Sequence, residues 1–286
     1  MNVLMLTLVV LFSANFGHAA PASQEVPYYG EKFYNDLASG ISNNDLKNSI
    51  KLVLRSYHLR VNGGLDQIVN NCSGSNCYAQ TSIGYNGARV YLMGKFYLHD
   101  NGGGNYSVTD VYCDNEKTAA DFRGGNAPAP NRIPDSNVIN VEHTWPQSRF
   151  SGKFDKGTQK ADLHHLFPTD SKLNSVRGNN NFGEVVKDTK TLGCPASRFG
   201  TPDGGGKEIF EPPHNHKGNV ARALFYFSLR YDLPINASEE AFLRKWAKED
   251  PIDDEEIRRN DDIYQTQGNR NPFIDFPNLQ DNIADF

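Results

Sequence analysis

Residues 138–146 read VINVEHTWP and residues 160–178 read KADLHHLFPTDSKLNSVRG, and these two stretches decide how the chain is built. Val138, Ile139 and Val141 form a β-branched run, which predicts a largely buried strand that delivers Glu142 and His143 at its end. Neighbours on a strand face opposite sides, so two adjacent polar residues share a site only where the strand ends or bends. Pro146, with no amide donor, marks such an end. Downstream, the apolar run from Leu163 to Phe167 predicts a second short strand carrying His164 and His165, stopped by Pro168. Thr169, Asp170 and Ser171 are N-cap candidates for a short helix. On it Asn174 and Arg177, three apart, share a face, and Gly178 is placed as the C-terminal cap. The order is strand, excursion, strand, helix.

A carboxylate and an amide oxygen can hold one hard divalent cation, and an imidazole beside them can stay neutral and accept a proton. Glu142, Asn174 and His143 supply that set, which suits the hydrolysis of phosphodiesters. An acidic residue next to a histidine is common on any surface, so the pair alone carries little. The ordered context around it carries more.

EHTWP, ADLHHLFP and the spacing of Asn174 to Arg177 resemble the ββα-metal (His-Me finger) nucleases, specifically the periplasmic and secreted endonuclease I family of bacteria. The similarity continues through ARVYLMGKFYL, the VYC of Val111 to Cys113, Pro212 and Pro213 ahead of GNVARALFYFSLRY, and the closing QGNRNPFID. It runs from about Ala88 to Asp275. The resemblance implies that His143 is the general base and that Glu142 and Asn174 hold a single Mg²⁺, with Mn²⁺ or Ca²⁺ as substitutes. It implies Arg177 as a phosphate clamp, against a plainer role in bridging to a carboxylate, and His164 as a group that orients a ligand or braces the core. Two departures stand out. Lys160 occupies a position where some relatives carry an acid, and the Gly-Gly-Arg segment that contacts phosphate in some members is absent between the strands. Arg149, Lys153 and Lys156 are substitutes to consider.

Composition sets the surroundings. An apolar run from Val3 to Phe12, followed by Gly17, Ala19, Ala20 and Ala22, reads as a signal peptide over residues 1–20, leaving a nuclease domain over 21–286. The expected destination is secreted or periplasmic, with no membrane partner after the signal is removed. Cys72, Cys77, Cys113 and Cys194, an even number, fit an oxidising compartment. Three pairings are open. Cys72 with Cys77 closes a short loop, and Cys113 with Cys194 ties the chain before the site to the loop after it. The net charge of -5 is unusual for a nucleic-acid binder, yet the acid is concentrated at the C-terminus. Asn236–Phe286 holds 13 acidic and 6 basic residues, whereas residues 149–177 hold 6 basic and 3 acidic ones.

The rest reads as scaffold. Helices are expected from Tyr28 to Ser39, Asp45 to Tyr57, Val220 to Tyr231, Ser238 to Lys248 with Ser238 as cap, and Asp254 to Gln267, with YLMGKFYL as strand. Phe225, Tyr226, Phe227 and Trp246 are expected in the core. The fold class is α+β, a mostly helical single domain around a ββα-metal core, and the expected molecule is a monomeric nonspecific endonuclease acting on DNA, with RNA as a second substrate. Two other readings compete: a secreted nucleic-acid-binding protein with a degenerate site, and a zinc hydrolase using His143, His164 and His165.

Overall fold

The computed structural model describes residues 25–286, so the signal peptide expected over residues 1–20 lies outside the described residues. Nine α-helices are described: α1 Gly30–Ala38, α2 Asn43–Arg55, α3 Gly84–Tyr91, α4 Lys156–Ala161, α5 Ser171–Arg177, α6 Lys217–Tyr231, α7 Ala237–Glu249, α8 Asp254–Gln267 and α9 Pro272–Asp275. They accompany eleven short strands: β1 Tyr57–Leu59, β2 Gln67–Val69, β3 Cys77–Tyr78, β4 Leu98–Asp100, β5 Tyr106–Asp110, β6 Asn115–Thr118, β7 Ile139–His143, β8 Leu166–Asp170, β9 Lys187–Lys190, β10 Arg198–Thr201 and β11 Ile209–Glu211. The strands form four small antiparallel sheets in the orders β2-β1-β3, β4-β5-β6, β7-β8 and β11-β10-β9. The class is α+β, as expected.

The centre is α6. Apolar residues occupy nearly its whole circumference, so it must be covered on all sides. It packs against α2, α7 and α9 and against the turn that carries His164 and His165. Phe225, Tyr226, Phe227 and Trp246 are fully buried core residues. Trp145 and Phe150 stack on Phe227, which ties the segment following β7 to this helix.

Several local expectations need correction. YLMGKFYL is not a strand: α3 runs to Tyr91 and continues as a π-turn over Leu92–Phe96, and strand begins only at Leu98. Ala88, Tyr91 and Leu92 are buried at three- and four-residue spacing, the helical period, and this outweighs the aromatic content of the run. Asn236, not Ser238, caps α7; its side chain accepts the Ser238 N–H. His164 and His165 lie on a 3-10 turn, Leu163–His165, whose N-cap Asp162 accepts the His164 N–H. Pro168 does not stop the strand. It sits inside β8 opposite Val141, and its carbonyl accepts the Val111 N–H. A sheet of two strands has only edges, where a missing donor is tolerated. Both disulfides follow the pairing expected, Cys72–Cys77 and Cys113–Cys194, the latter spanning 81 residues.

Candidate active site

β7 and β8 pair in register from Ile139 with Asp170 to His143 with Leu166, and α5 follows β8 at once. Asp170 starts that helix, its side chain accepting the Lys172 and Leu173 N–H groups, and Gly178 ends it at a positive φ of 55° that L-residues with a side chain rarely adopt. Strand alternation puts Asn140 and Glu142 on the face toward α5 and His143 on the other. At the strand's end β7, the turn after it and α5 border one pocket of about 310 Å³ lined by Glu142, His143, Gln147, Asn174, Arg177 and Gly178 among others.

On the α5 face, Asn174 Nδ2 donates to Asn140 Oδ1 at 2.7 Å and to the Val141 carbonyl at 3.0 Å. Both amide hydrogens are therefore spent, and Oδ1 is left as the free donor atom of a residue that lines the pocket. Glu142 is fully buried, and its Oε1 accepts from Arg177 Nη1 at 2.8 Å. Burial raises its pKa, while the Arg177 charge, followed by the Tyr112 hydroxyl, pulls it back. Arg177 is only 1 % exposed. Its guanidinium also donates to the carbonyls of His143 (3.0 Å) and Thr144 (2.8 Å) and lies 4.3 Å from the centre of the Phe182 ring. That is the carboxylate-bridging arrangement, and it leaves little of the fork to reach into solvent.

On the other face, His143 Nε2 lies 3.1 Å from the Lys160 carbonyl. A carbonyl only accepts, so Nε2 carries the hydrogen and the lone pair is on Nδ1. That atom faces Gln147 Nε2 at 3.4 Å, a long contact. His143 is 7 % exposed, and burial above all, then the His165 imidazole, pushes its pKa down to about 3. His164 and His165 are wholly buried and each places Nε2 on a backbone carbonyl, of Asn269 at 3.2 Å and Gln159 at 2.8 Å. Both are pushed down to about 4 by burial, with Asp162 opposing. His164 lies against Tyr226 with the two rings tilted, 4.6 Å between centres, and is not a wall of the pocket. His165 lies 5.5 Å from His143, ring to ring. Among the described residues these imidazoles belong to no group of three or more metal-type ligands.

The one group of metal-type ligands among the described residues is Asp110, Cys113 and Asp170. Cys113 is committed to its disulfide, and Lys117 Nζ already lies 3.4 Å from Asp110 Oδ2 and 3.1 Å from Asp170 Oδ2. An ammonium therefore occupies the place of a cation there. Of the other basic residues considered, Arg149 is bound to Asn181 and the Asn179 carbonyl, and Lys153 is paired with Asp232 at 2.7 Å.

The sequence profile of endonuclease I matches residues 74–278. The chain belongs to the endonuclease I family. Nucleases of this family are metal-dependent. Among curated relatives, the chain is 37% identical over 190 residues to the extracellular ribonuclease of Bacillus subtilis, covering 59% of either chain. It is 38% identical over 164 residues to the extracellular ribonuclease of Bacillus amyloliquefaciens, covering 50% of this chain and 53% of the relative. An extracellular deoxyribonuclease of Aeromonas hydrophila is 31% identical over 125 residues, covering 43% and 53%. The chain thus spans between about half and three-fifths of the length of these relatives.

Asn140, Gln147 and the Lys160 carbonyl escaped the sequence reading. Asn140 was within reach, because it stands two residues before Glu142 and so on the same strand face. The Lys160 carbonyl had no sequence signal, since any residue supplies one.

Proposed function

We propose that this chain is an exported, metal-dependent endonuclease that hydrolyses phosphodiesters of DNA and RNA with little sequence preference, and that β7, β8 and α5 are its ββα-metal core. The observation that carries the reading is the pairing of two oxygen donors, Glu142 and Asn174, with an imidazole whose single free nitrogen opens on the same pocket. The donor set fits Mg²⁺, which takes oxygen ligands, is content with one or two from protein and keeps waters and phosphate for the rest. Arg177 neutralises part of the Glu142 charge but occupies only Oε1. When bound, the cation would supply charge stabilisation to the phosphate and to the departing 3′ oxygen. His143 Nδ1 takes the proton of the attacking water while the Lys160 carbonyl holds the ring in the Nε2–H tautomer, leaving a 5′-phosphate. Gln147, whose amide faces Nδ1 in the free protein, yields that place to the water. His164 and Arg177 act through packing and orientation of their neighbours.

The relatives named as ribonucleases and deoxyribonucleases support both substrates, and no helix of the described residues is long and apolar enough to cross a membrane. Purified mature protein incubated with supercoiled plasmid tests the proposal. Nicking is expected with Mg²⁺ and not with EDTA, and His143→Ala should lose about 10²- to 10⁴-fold in rate. Wild-type protein that binds but never nicks would leave a degenerate nucleic-acid binder.

A further inference from the structure

Two cations meet beside the general base with no carboxylate to answer them. Tyr85, near the start of α3, has its ring centre 5.6 Å from that of His143. Lys160 Nζ sits over the Tyr85 ring at 4.5 Å, and the Arg89 guanidinium, one helical turn along, at 5.9 Å. Neither cation makes an ion pair among the described residues, unlike Lys117, which bridges Asp110 and Asp170, Arg177, which holds Glu142, and Lys153, which holds Asp232. Burial raises the Tyr85 phenol, and the Arg89 charge pulls it back. An aromatic face attracts a cation without neutralising it, which fixes the charge in place and leaves it available.

In a chain of net charge -5, uncompensated positive charge next to the reacting position is informative. We infer that Lys160 and Arg89, held on Tyr85, form a subsite for the phosphate that flanks the scissile one. The inference rests on the nuclease reading above and adds to it where the substrate lies: the strand runs from the Glu142 and Asn174 side, past His143, toward α3. Successive phosphates of a strand are about 3.4 Å apart along the helix rise, so a cation one ring beyond the base falls within reach of the next one. Lys160 then acts twice. Its carbonyl fixes the His143 tautomer while its ammonium grips the strand, so the same residue joins substrate hold to base orientation. Because the ligand is backbone phosphate, the grip is indifferent to base sequence and common to DNA and RNA.

The test is binding of a labelled duplex oligonucleotide in EDTA, which prevents cleavage, across about 50 to 200 mM salt. Arg89→Ala and Lys160→Ala should each lower the slope of log affinity against log salt by roughly one unit, and together by about two. Steady-state nicking by Arg89→Ala should show the loss in KM, with kcat nearly unchanged, as for uniform binding. The exchange Arg89→Lys with Lys160→Arg keeps both charges and should restore the slope, whereas Lys32→Ala on α1 should leave it at the wild-type value. An unchanged slope in the double alanine variant overturns the subsite while wild-type nicking keeps the nuclease reading intact. Wild-type protein that neither nicks nor binds overturns both.

Discussion

Replacing Arg177 with Met separates two roles for this residue. Methionine keeps the apolar stem against Phe182 and removes the guanidinium. Glu142 is then a fully buried carboxylate with no opposing charge, and the carbonyls of His143 and Thr144 lose their donors. Breaking one partner of a buried ion pair costs about 3–5 kcal/mol, and the orphaned carbonyls push toward the upper end. For a domain of this size that is a fall in Tm of roughly 6–20 °C. Urea or thermal unfolding in EDTA measures it. Glu142→Gln in the same background should recover part of the loss, with a coupling of about 1–3 kcal/mol, because the uncompensated charge is then gone. A phosphate clamp predicts the reverse pattern: stability within about 1 kcal/mol of wild type and a DNA salt slope reduced by roughly one unit. That outcome would refute the structural role argued from the burial and hydrogen bonds of Arg177.

The remaining predictions concern metal and protons. Asn140→Leu should weaken Mg²⁺ dependence of nicking by about tenfold without touching a ligand, since Asn174 Nδ2 loses its partner and its amide can turn; an unchanged metal titration would remove Asn140 from the site. A histidine near its usual pKa would shut activity off below about pH 6.5, but burial pushes His143 down to about 3, so its limb should be absent from a nicking profile measured with Mg²⁺ between pH 5 and 8. Loss of activity centred near pH 6.5 would contradict that environment. His216, buried against Phe167 and pushed down to about 3, is held neutral in the fold while the unfolded chain protonates near 6.5. Its contribution is therefore present above pH 6.5 and lost as pH falls toward 3. His216→Phe should reduce the stability lost between pH 7 and pH 5 by about 2 kcal/mol relative to wild type, read from unfolding curves at the two pH values.

The parts of this fold that were legible in the sequence are those whose signal is local. The β-branched run of β7, the Asp170 cap, Gly178 and the periodic face of α8 ending at Gly268 each follow from a few neighbouring residues. Where several signals compete within a few residues, the reading failed. YLMGKFYL carries strand-forming aromatics on a helical period, and tertiary burial of Ala88, Tyr91 and Leu92 decided for helix. His164 and His165 looked like a strand because their neighbours are apolar, but Asp162 caps a turn there. The same carboxylate accepts from Gln80, Tyr226, Tyr231 and Gln267, residues separated from it by up to 105 positions. No short-range pattern encodes such a hub.

Those contacts also explain why one histidine of three is singled out. His143, His164 and His165 share one device, an Nε2 held on a backbone carbonyl, so each carries its lone pair on Nδ1. For His164 and His165 that nitrogen is buried without a partner, against Tyr226 and Phe227, where neither water nor substrate reaches it. Only His143 turns Nδ1 toward the pocket, where Gln147 covers it loosely. Orientation by a carbonyl is therefore common to all three and cannot be what distinguishes a base from a core residue. The distinction lies in the single step of strand geometry that ends β7 at His143, placing its ring at the rim with Phe150 beside it, whereas His165 lies against Phe227. A one-residue slip of the strand would flip His143 and Glu142 together, taking Glu142 off the α5 face and separating it from Asn174, its partner oxygen donor.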